Sequence, residues 1–368
     1  MKTIKVAMIG TGDISGIYLK NITETFAEIE LVGVCDLVRE KAEAAAAKWN
    51  VPHIYNDMYE AFNDPQVDVI LNLTRPYEHY GVTKPALEAG KHVYSEKPLA
   101  ATFEQGQELV RIAEEKGLML GGAPDTYLGA GIQTCRKLID DGYIGDPVGA
   151  AAFMICRGHE SWHPDPEFYY KFGGGPMLDM GPYYITALVN LLGGVKGLMG
   201  RTKKTFAQRT ITSAPKRGTI VDVDVPTHVL GIMDFDCGAV GTIFTTFDVY
   251  NDGQARLEIY GTKGTLICPD PNTFGGPIKL LRPEQGGLME MPLVFDYAEN
   301  SRALGLADLA RALLTGREFR ASYKQTLHVL EIMTGFEKAS DKNGYIELTT
   351  HFDRVAPMQN NPIHGILD

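Results

Sequence analysis

The sequence predicts an α/β fold in two parts: a doubly wound parallel sheet at the N-terminus, then an α+β domain on a largely antiparallel sheet. Three observations predict it. Short apolar runs alternate with helical stretches over the first 120 or so residues. A glycine-rich turn, Gly10-Thr11-Gly12-Asp13-Ile14-Ser15-Gly16, joins the first run to the first helix. After about Gly122 the pattern changes to longer β-rich stretches. We therefore expect one boundary, with domains at 1–122 and 123–368.

Taken in order, Ile4–Ile9 reads as a buried parallel strand. A helix follows over roughly Ile14–Phe26. Leu31–Cys35 is the second strand, and the Ala-rich Arg39–Trp49 is helical. Val67–Leu73 is a third strand, and Thr83–Ala89 a helix stopped by Gly90. His92–Ser95 is a strand, Phe103–Lys116 a helix closed by Gly117, and Leu118–Leu120 a strand. The second part opens with a helix at Ile132–Asp140 that ends in the turn Asp141-Gly142. Strands are expected at Val148–Cys156, Thr227–Phe235, Ala239–Phe247, Ala255–Tyr260 and Thr265–Ile267. The dipeptides Asp252-Gly253 and Lys263-Gly264 supply turns between them. Helices near Leu304–Leu314 and Gln325–Lys338 follow.

The composition excludes several classes of function. The 368 residues carry a net charge of −11, which argues against nucleic acid or an anionic membrane as the main partner. Five cysteines at 35, 135, 156, 237 and 268 form no C-x-x-C pair. That fits a reduced, cytoplasmic protein without a disulfide framework or a cysteine metal site. No signal peptide and no membrane-spanning run is expected.

The glycine turn points to a dinucleotide. Gly10 permits the tight turn and Gly12 lets a pyrophosphate approach the backbone at a helix N-terminus. The third glycine of G-x-G-x-x-G is displaced, with Ser15 in its place and Gly16 just after. Asp36 ends the second strand, 20 residues after Gly16, where an acid accepts hydrogen bonds from ribose hydroxyls. A helix N-cap is the plainer role for it. Leu37-Val38 offers no cation for a 2′-phosphate, and Arg39 lies one step further, so NAD is expected over NADP. Lys97, in Glu96-Lys97-Pro98, follows the strand His92–Ser95. Proline holds the residue before it extended, which aims an ammonium from the strand edge where open α/β sheets bind ligands.

With Lys97 in context, the chain resembles the Gfo/Idh/MocA oxidoreductase family. The resemblance rests on the turn at 10–16, Asp36, Thr74-Arg75-Pro76-Tyr77-Glu78-His79, and Ala89-Gly90-Lys91-His92-Val93 running into Glu96-Lys97-Pro98. In the second part, Trp162-His163-Pro164-Asp165-Pro166 is similar to the family's W-R-x-D-P element. Gly173-Gly174-Gly175-Pro176-Met177-Leu178-Asp179-Met180-Gly181-Pro182-Tyr183 is similar to its G-G-G-x-x-x-D-x-G-x-H element. The resemblance implies a Rossmann domain, an open-faced antiparallel sheet whose exposed face often makes oligomer contacts, and a homo-oligomer. It implies a cofactor site of Gly10, Thr11, Gly12, Asp13, Ile14, Asp36, Thr74, Pro76, His79, Glu96, Lys97 and Trp162. Glu96 would approach the nicotinamide ribose, and Thr74, Pro76 and His79 would wall the cofactor. His79 serves equally well as a helix-start residue. Two departures stand out: Tyr183 replaces the usual His, as in members resembling glucose–fructose oxidoreductase, and His163 replaces the usual Arg.

Oxidising a carbinol leaves a hydroxyl proton to be moved by a group within hydrogen-bond reach. The resemblance gives that work to Lys97, Asp179 and Tyr183. Their plainer roles are a surface ion pair, a helix N-terminal acid and a core aromatic. Substrate candidates beside them are Tyr127, Arg157, His159, Trp162 and His163. His159-Glu160-Ser161-Trp162-His163 matches H-E-x-x-H, which binds zinc only on a helix. Gly158 before it and Pro164 after it disfavour a helix, so no metal is expected. Aromatics beside His, Asp and Glu suit a sugar ring, although the loop also reads as purely structural. The leading expectation is an NAD-dependent dehydrogenase of a sugar, glycoside or cyclitol hydroxyl. The alternatives are a glycosidase working by transient oxidation with bound NAD, and a non-catalytic nucleotide sensor.

Overall fold

Six short segments form a single sheet: β1 (Ile4–Ile9), β2 (Ile29–Cys35), β3 (His53–Ile54), β4 (Val69–Asn72), β5 (His92–Ser95) and β6 (Leu120–Gly122). Their order is β3-β2-β1-β4-β5-β6, and every pairing is parallel. The computed structural model describes residues 2–251, 256–359 and 363–368. All four residues of β4 are buried, as expected of a strand covered on both faces. The connections carry α1 (Ser15–Glu24), α2 (Arg39–Trp49), α3 (Met58–Asn63), α4 (His79–Glu88) and α5 (Phe103–Lys116). In α5 the Thr102 hydroxyl accepts from Gln105 N–H, and Gly117 ends the helix at φ 65°. The sheet is the classic doubly wound arrangement, with its ligand edge where β1, β4 and β5 end.

Two local expectations shift. Helix α4 begins four residues before Thr83, because Pro76 opens a 3₁₀ turn that runs straight into it. The last strand is Leu120–Gly122 rather than Leu118–Leu120. A Cβ on Gly122 would lie 2.4 Å from the Ser95 carbonyl oxygen, so packing demands glycine where strand propensity disfavours it.

The chain divides into two units: Met1–Gly129, Val294–Leu327 and Ala356–Asp368 in the first, Ala130–Leu293 and His328–Val355 in the second. A single boundary at 122 therefore misses segments that return to the first sheet. The reason lies in side-chain and backbone bonds. The Asn21 amide donates to the carbonyls of Asn300 and Arg302, Gly122 N–H donates to Ala321, and buried Asp125 accepts from Gly305 N–H.

In the second unit, α6 (Ala130–Asp140) precedes β7 (Pro147–Ile155), and α7 (Pro176–Asp179) runs into α8 (Gly181–Leu192). Then come β8 (Val195–Lys203), β9 (Gln208–Thr210), β10 (Ile220–Asp222), β11 (His228–Phe235), β12 (Val240–Thr246), β13 (Arg256–Gly261), β14 (Thr265–Ile267), β15 (Ile278–Arg282) and β16 (Gly287–Met291). Helices α9 (Leu304–Thr315) and α10 (Tyr323–Lys342) and strand β17 (Ile346–Glu347) complete the chain. The second sheet has the order β16-β15-β14-β13-β7-β12-β11-β8-β17 and is antiparallel except for the β7–β12 pair. Strand β11 alternates, burying Val229, Gly231 and Met233 while Leu230 and Ile232 face outward. This is the expected mostly antiparallel sheet with one open face. The Lys263-Gly264 turn forms, with Gly261 N–H donating to Gly264. The Asp252-Gly253 turn and Ala255 lie outside the described residues.

Candidate active site

In the first unit, the turn after β1 is built to receive an anion. Gly10 has φ +96°, and a Cβ there would lie 2.8 Å from the Leu73 carbonyl oxygen, so only glycine fits. A Cβ on Gly12 would meet nothing within 4 Å, which leaves open space over the backbone. Among the described residues, the N–H groups of Gly12, Asp13 and Ile14 carry no hydrogen bond just before α1 begins. Three free donors at a helix N-terminus suit a pyrophosphate. Ser15 fills the displaced third-glycine place, buried, with its hydroxyl donating 2.7 Å to Gly12 O.

Asp36 does more than cap a helix. One carboxylate oxygen accepts from Thr11 N–H (2.7 Å) and the Thr11 hydroxyl (3.0 Å), and the other from Val38 N–H (2.9 Å). A carboxylate has about four lone-pair sites, so capacity remains for a ribose hydroxyl. Arg39 is held by Glu43 and Asn56, which fits the expected preference for NAD over NADP.

Beyond β5, the Glu96 carboxylate accepts from the Tyr18 hydroxyl (2.7 Å) and from Lys97 N–H (3.0 Å). Lys97 itself is half-buried. Asn72, at the end of β4, accepts from the Thr74 hydroxyl (2.6 Å) and backbone N–H. His79 is not a cofactor wall in this structure. It is fully buried, with Nδ1 2.7 Å from Pro98 O and Nε2 3.0 Å from Thr74 O. It ties the Thr74 segment to the Lys97-Pro98 segment, and burial pushes its pKa down. Tyr127 is likewise 2% exposed, so it presents no open face to a substrate.

In the second unit, the loop after β7 gathers most of the other candidates. Gly158 turns it at φ +97°, where a Cβ would collide with Glu160, Arg209 and Tyr170. His159 O then accepts from His163 N–H (3.0 Å), giving a single turn rather than a helix. Arg209, 5% exposed, organises the loop. It pairs with Glu160 and Asp248 and donates to the carbonyls of Arg157 (2.7 Å) and Phe247 (2.6 Å). Lys216 bridges Asp165 and Glu167, and Ser213 donates to His163 O. Arg209, Asp248, Lys216 and Phe247 were not singled out from sequence, and no local spacing marks them.

His159 Nε2 lies 3.3 Å from Asp179 Oδ2, both about one-eighth exposed. The His159 ring also meets Tyr169, Phe247 and Trp162 at 4.2, 4.6 and 5.3 Å between centroids. Trp162 is 62% exposed. The Arg157 guanidinium lies over Phe206 and Tyr250, 4.8 and 5.1 Å from their centroids. Asp179 ends α7, reached through Gly175 at φ +87°, and Tyr183, 7% exposed, sits one turn later in α8. Burial pushes the hydroxyl pKa of neighbouring Tyr184 well up. Among the described residues no cluster of three or more His, Cys, Asp or Glu fits a metal ion, and no helix is long and apolar enough to cross a membrane.

A doubly wound parallel sheet with a glycine turn and an acid at the end of its second strand, joined to a mostly antiparallel second sheet, is the architecture of an NAD-binding oxidoreductase. The chain belongs to the Gfo/Idh/MocA family. The model of the oxidoreductase family's NAD-binding Rossmann fold matches residues 4–122, and that of the family's C-terminal domain matches 132–267. Over 266 residues the chain is 27% identical to D-xylose dehydrogenase of Paenarthrobacter nicotinovorans, covering 70% of this chain and 67% of that one. Over 169 residues it is 32% identical to inositol 2-dehydrogenase of Salmonella typhimurium, covering 45% and 48%. The structure of levoglucosan dehydrogenase in complex with NADH superimposes with a TM-score of 0.81 at 19% identity, covering 95% of this chain and 100% of that one. That likeness speaks to the fold. The protein is thus an enzyme of an NAD-dependent sugar and polyol dehydrogenase family.

Proposed function

We propose that the protein transfers hydride between NAD and a ring hydroxyl of a monosaccharide, glycoside or cyclitol, with Lys97 and Tyr183 taking part in proton transfer. The observation that carries the reading is the carboxyl edge of the first sheet. There the open Gly12 backbone follows β1, and Lys97, fixed through its own N–H by Glu96, follows β5, with only β4 between the two strands. Bound NAD⁺ supplies a hydride acceptor. Gly12, Asp13 and Ile14 N–H hold its pyrophosphate, and Asp36 holds the adenosine ribose. Lys97 donates to the substrate oxygen and favours its ionised form. Asp179 and Tyr183 take the hydroxyl proton's side of the chemistry. The exposed Trp162 and the Arg157, His159 and His163 side chains offer flat apolar and polar surfaces suited to a pyranose ring. The named relatives act on xylose and inositol, which supports a sugar or cyclitol substrate.

A second copy of the chain would cover the open face of the second sheet. Leu230, Ile232 and Val240 are 44%, 46% and 49% exposed there, and Ile232 pairs with exposed Met199 across β8. Light scattering checks this, since a monomer at micromolar concentration contradicts it.

A panel of pentoses, hexoses, simple glycosides and inositols, each with NAD, tests the main reading. Product should be read by mass spectrometry as well as by NADH absorbance. A carbonyl product from one member supports it, and no oxidised product from any member contradicts it.

A further inference from the structure

Lys97 sits between two backbone anchors. On its N-terminal side, its own N–H donates to Glu96, whose other carboxylate oxygen accepts from the Tyr18 hydroxyl. On its C-terminal side stands Pro98, which is buried and has no N–H, so the carbonyl is its one backbone hydrogen-bonding group. Among the described residues that carbonyl has a single partner, His79 Nδ1 at 2.7 Å. The imidazole is itself placed from β4. Asn72, at the end of that strand, donates to the His79 carbonyl (3.1 Å) and to the Thr83 hydroxyl of α4 (3.1 Å). Strands β4 and β5 are paired neighbours, so His79 reaches from one strand end to the segment that follows the next.

Both ring nitrogens of His79 face carbonyl oxygens, and a carbonyl only accepts. Burial lowers the pKa of the ring, and the Lys97 charge acts in the same direction, against Glu96. The ring is therefore neutral near pH 7 and has one N–H for two acceptors. The Pro98 contact is the shorter and is buried, whereas the Thr74 contact is only part-buried. A buried carbonyl left unpaired is the costlier of the two, so the proton sits on Nδ1. We infer that His79 is the positioning residue for Lys97: its Nδ1–H holds the Pro98 carbonyl and so fixes the backbone from which the Lys97 ammonium is aimed over the cofactor edge of the first sheet. The inference rests on the NAD-dependent dehydrogenase reading above. Every group involved belongs to the first unit, and no proton of the reaction passes through His79.

The test uses the full chain and two variants that each keep one donor. His79→Asn puts an amide nitrogen where Nδ1 stood, and His79→Gln puts it where Nε2 stood. With NAD and the sugar that the panel identifies, His79→Gln should lower kcat by about 10²-fold, the cost of a misplaced reacting group. His79→Asn should keep most of the wild-type rate. NAD affinity and melting temperature should be alike in the two variants. A second readout needs no sugar: acetylation of Lys97 by acetic anhydride, with and without NAD, read by peptide mass spectrometry. NAD should protect Lys97 in wild type and in His79→Asn, and should fail to protect it in His79→Gln. Equal kcat or equal protection in the two variants overturns the inference, as does a loss confined to His79→Asn or a wild-type Lys97 that NAD does not protect. Failure of either variant to fold also overturns it, because the ring then serves the fold as a whole. A wild-type enzyme that oxidises no member of the panel removes the dehydrogenase reading, and the acetylation comparison still decides the role of His79.

Discussion

The turn after β1 and the loop after β7 both gather functional groups, but they are built in opposite ways. The turn works through backbone: Gly10 and Gly12 shape it, three N–H groups are left without a hydrogen bond among the described residues, and its distant supports include Asp36, 25 residues from Thr11, and the Cys35 carbonyl, which accepts from Gly10 N–H. The loop works through side chains held by long-range ion pairs. Arg209 lies 49 residues from Glu160 and 39 from Asp248, and Lys216 lies 51 from Asp165. A backbone site is marked by a residue such as Gly10 that admits no side chain, whereas a side-chain site is specified by partners that leave no mark on local sequence.

The sharpest break separates chemistry from binding. Lys97→Met and Tyr183→Phe should each lower kcat by about 10²–10⁴-fold while NAD affinity, read by quenching of protein fluorescence, stays near wild type. Undiminished turnover in either variant removes that residue from the mechanism.

Arg209→Met tests the side-chain site alone. Removing one partner of a buried ion pair costs about 3–5 kcal/mol. Denaturant unfolding should show a loss of that size and sugar KM should rise, with NAD affinity unchanged. An equal loss of NAD affinity would mean that the two regions are not independently built.

Asp125→Asn probes the interior of the first unit. Burial raises the Asp125 pKa to about 6, from an ordinary 3.8. From about pH 4 to 6 the folded chain binds that proton more tightly than the unfolded chain, so stability falls as pH rises through the window. The deficit is complete above it, on the order of 3 kcal/mol. The amide keeps an acceptor for Gly305 N–H and should melt higher at pH 7, with the gain fading toward pH 4. A gain independent of pH contradicts this.

The same contrast explains what was legible in the sequence. The parallel sheet, its strand–helix alternation and the dinucleotide turn are local patterns and could be read directly. Helix α8 was harder, because all twelve of its residues are buried and it shows no polar stripe. Strand β8 was obscured by Gly197 and Gly200, which make room for Tyr345 and Phe336. His79 was legible as a marked position but not as a strap between two carbonyls, since both acceptors belong to segments that meet only in the fold. Tyr127 looked available, yet the fold buries it. His159 and Asp179 were each identifiable as candidates. Their hydrogen bond was not, because 20 residues and a glycine-rich turn separate them.

The central claim is hydride transfer from a sugar carbon to NAD. The most direct measurement incubates the enzyme and NAD with a sugar deuterated at the oxidised carbon, then recovers the nicotinamide for mass spectrometry. The account predicts that the deuterium appears in the reduced nicotinamide and that a ketone or lactone forms in equal amount. Reduced nicotinamide without deuterium, or a changed sugar in which that carbon is still a deuterated carbinol, would contradict it.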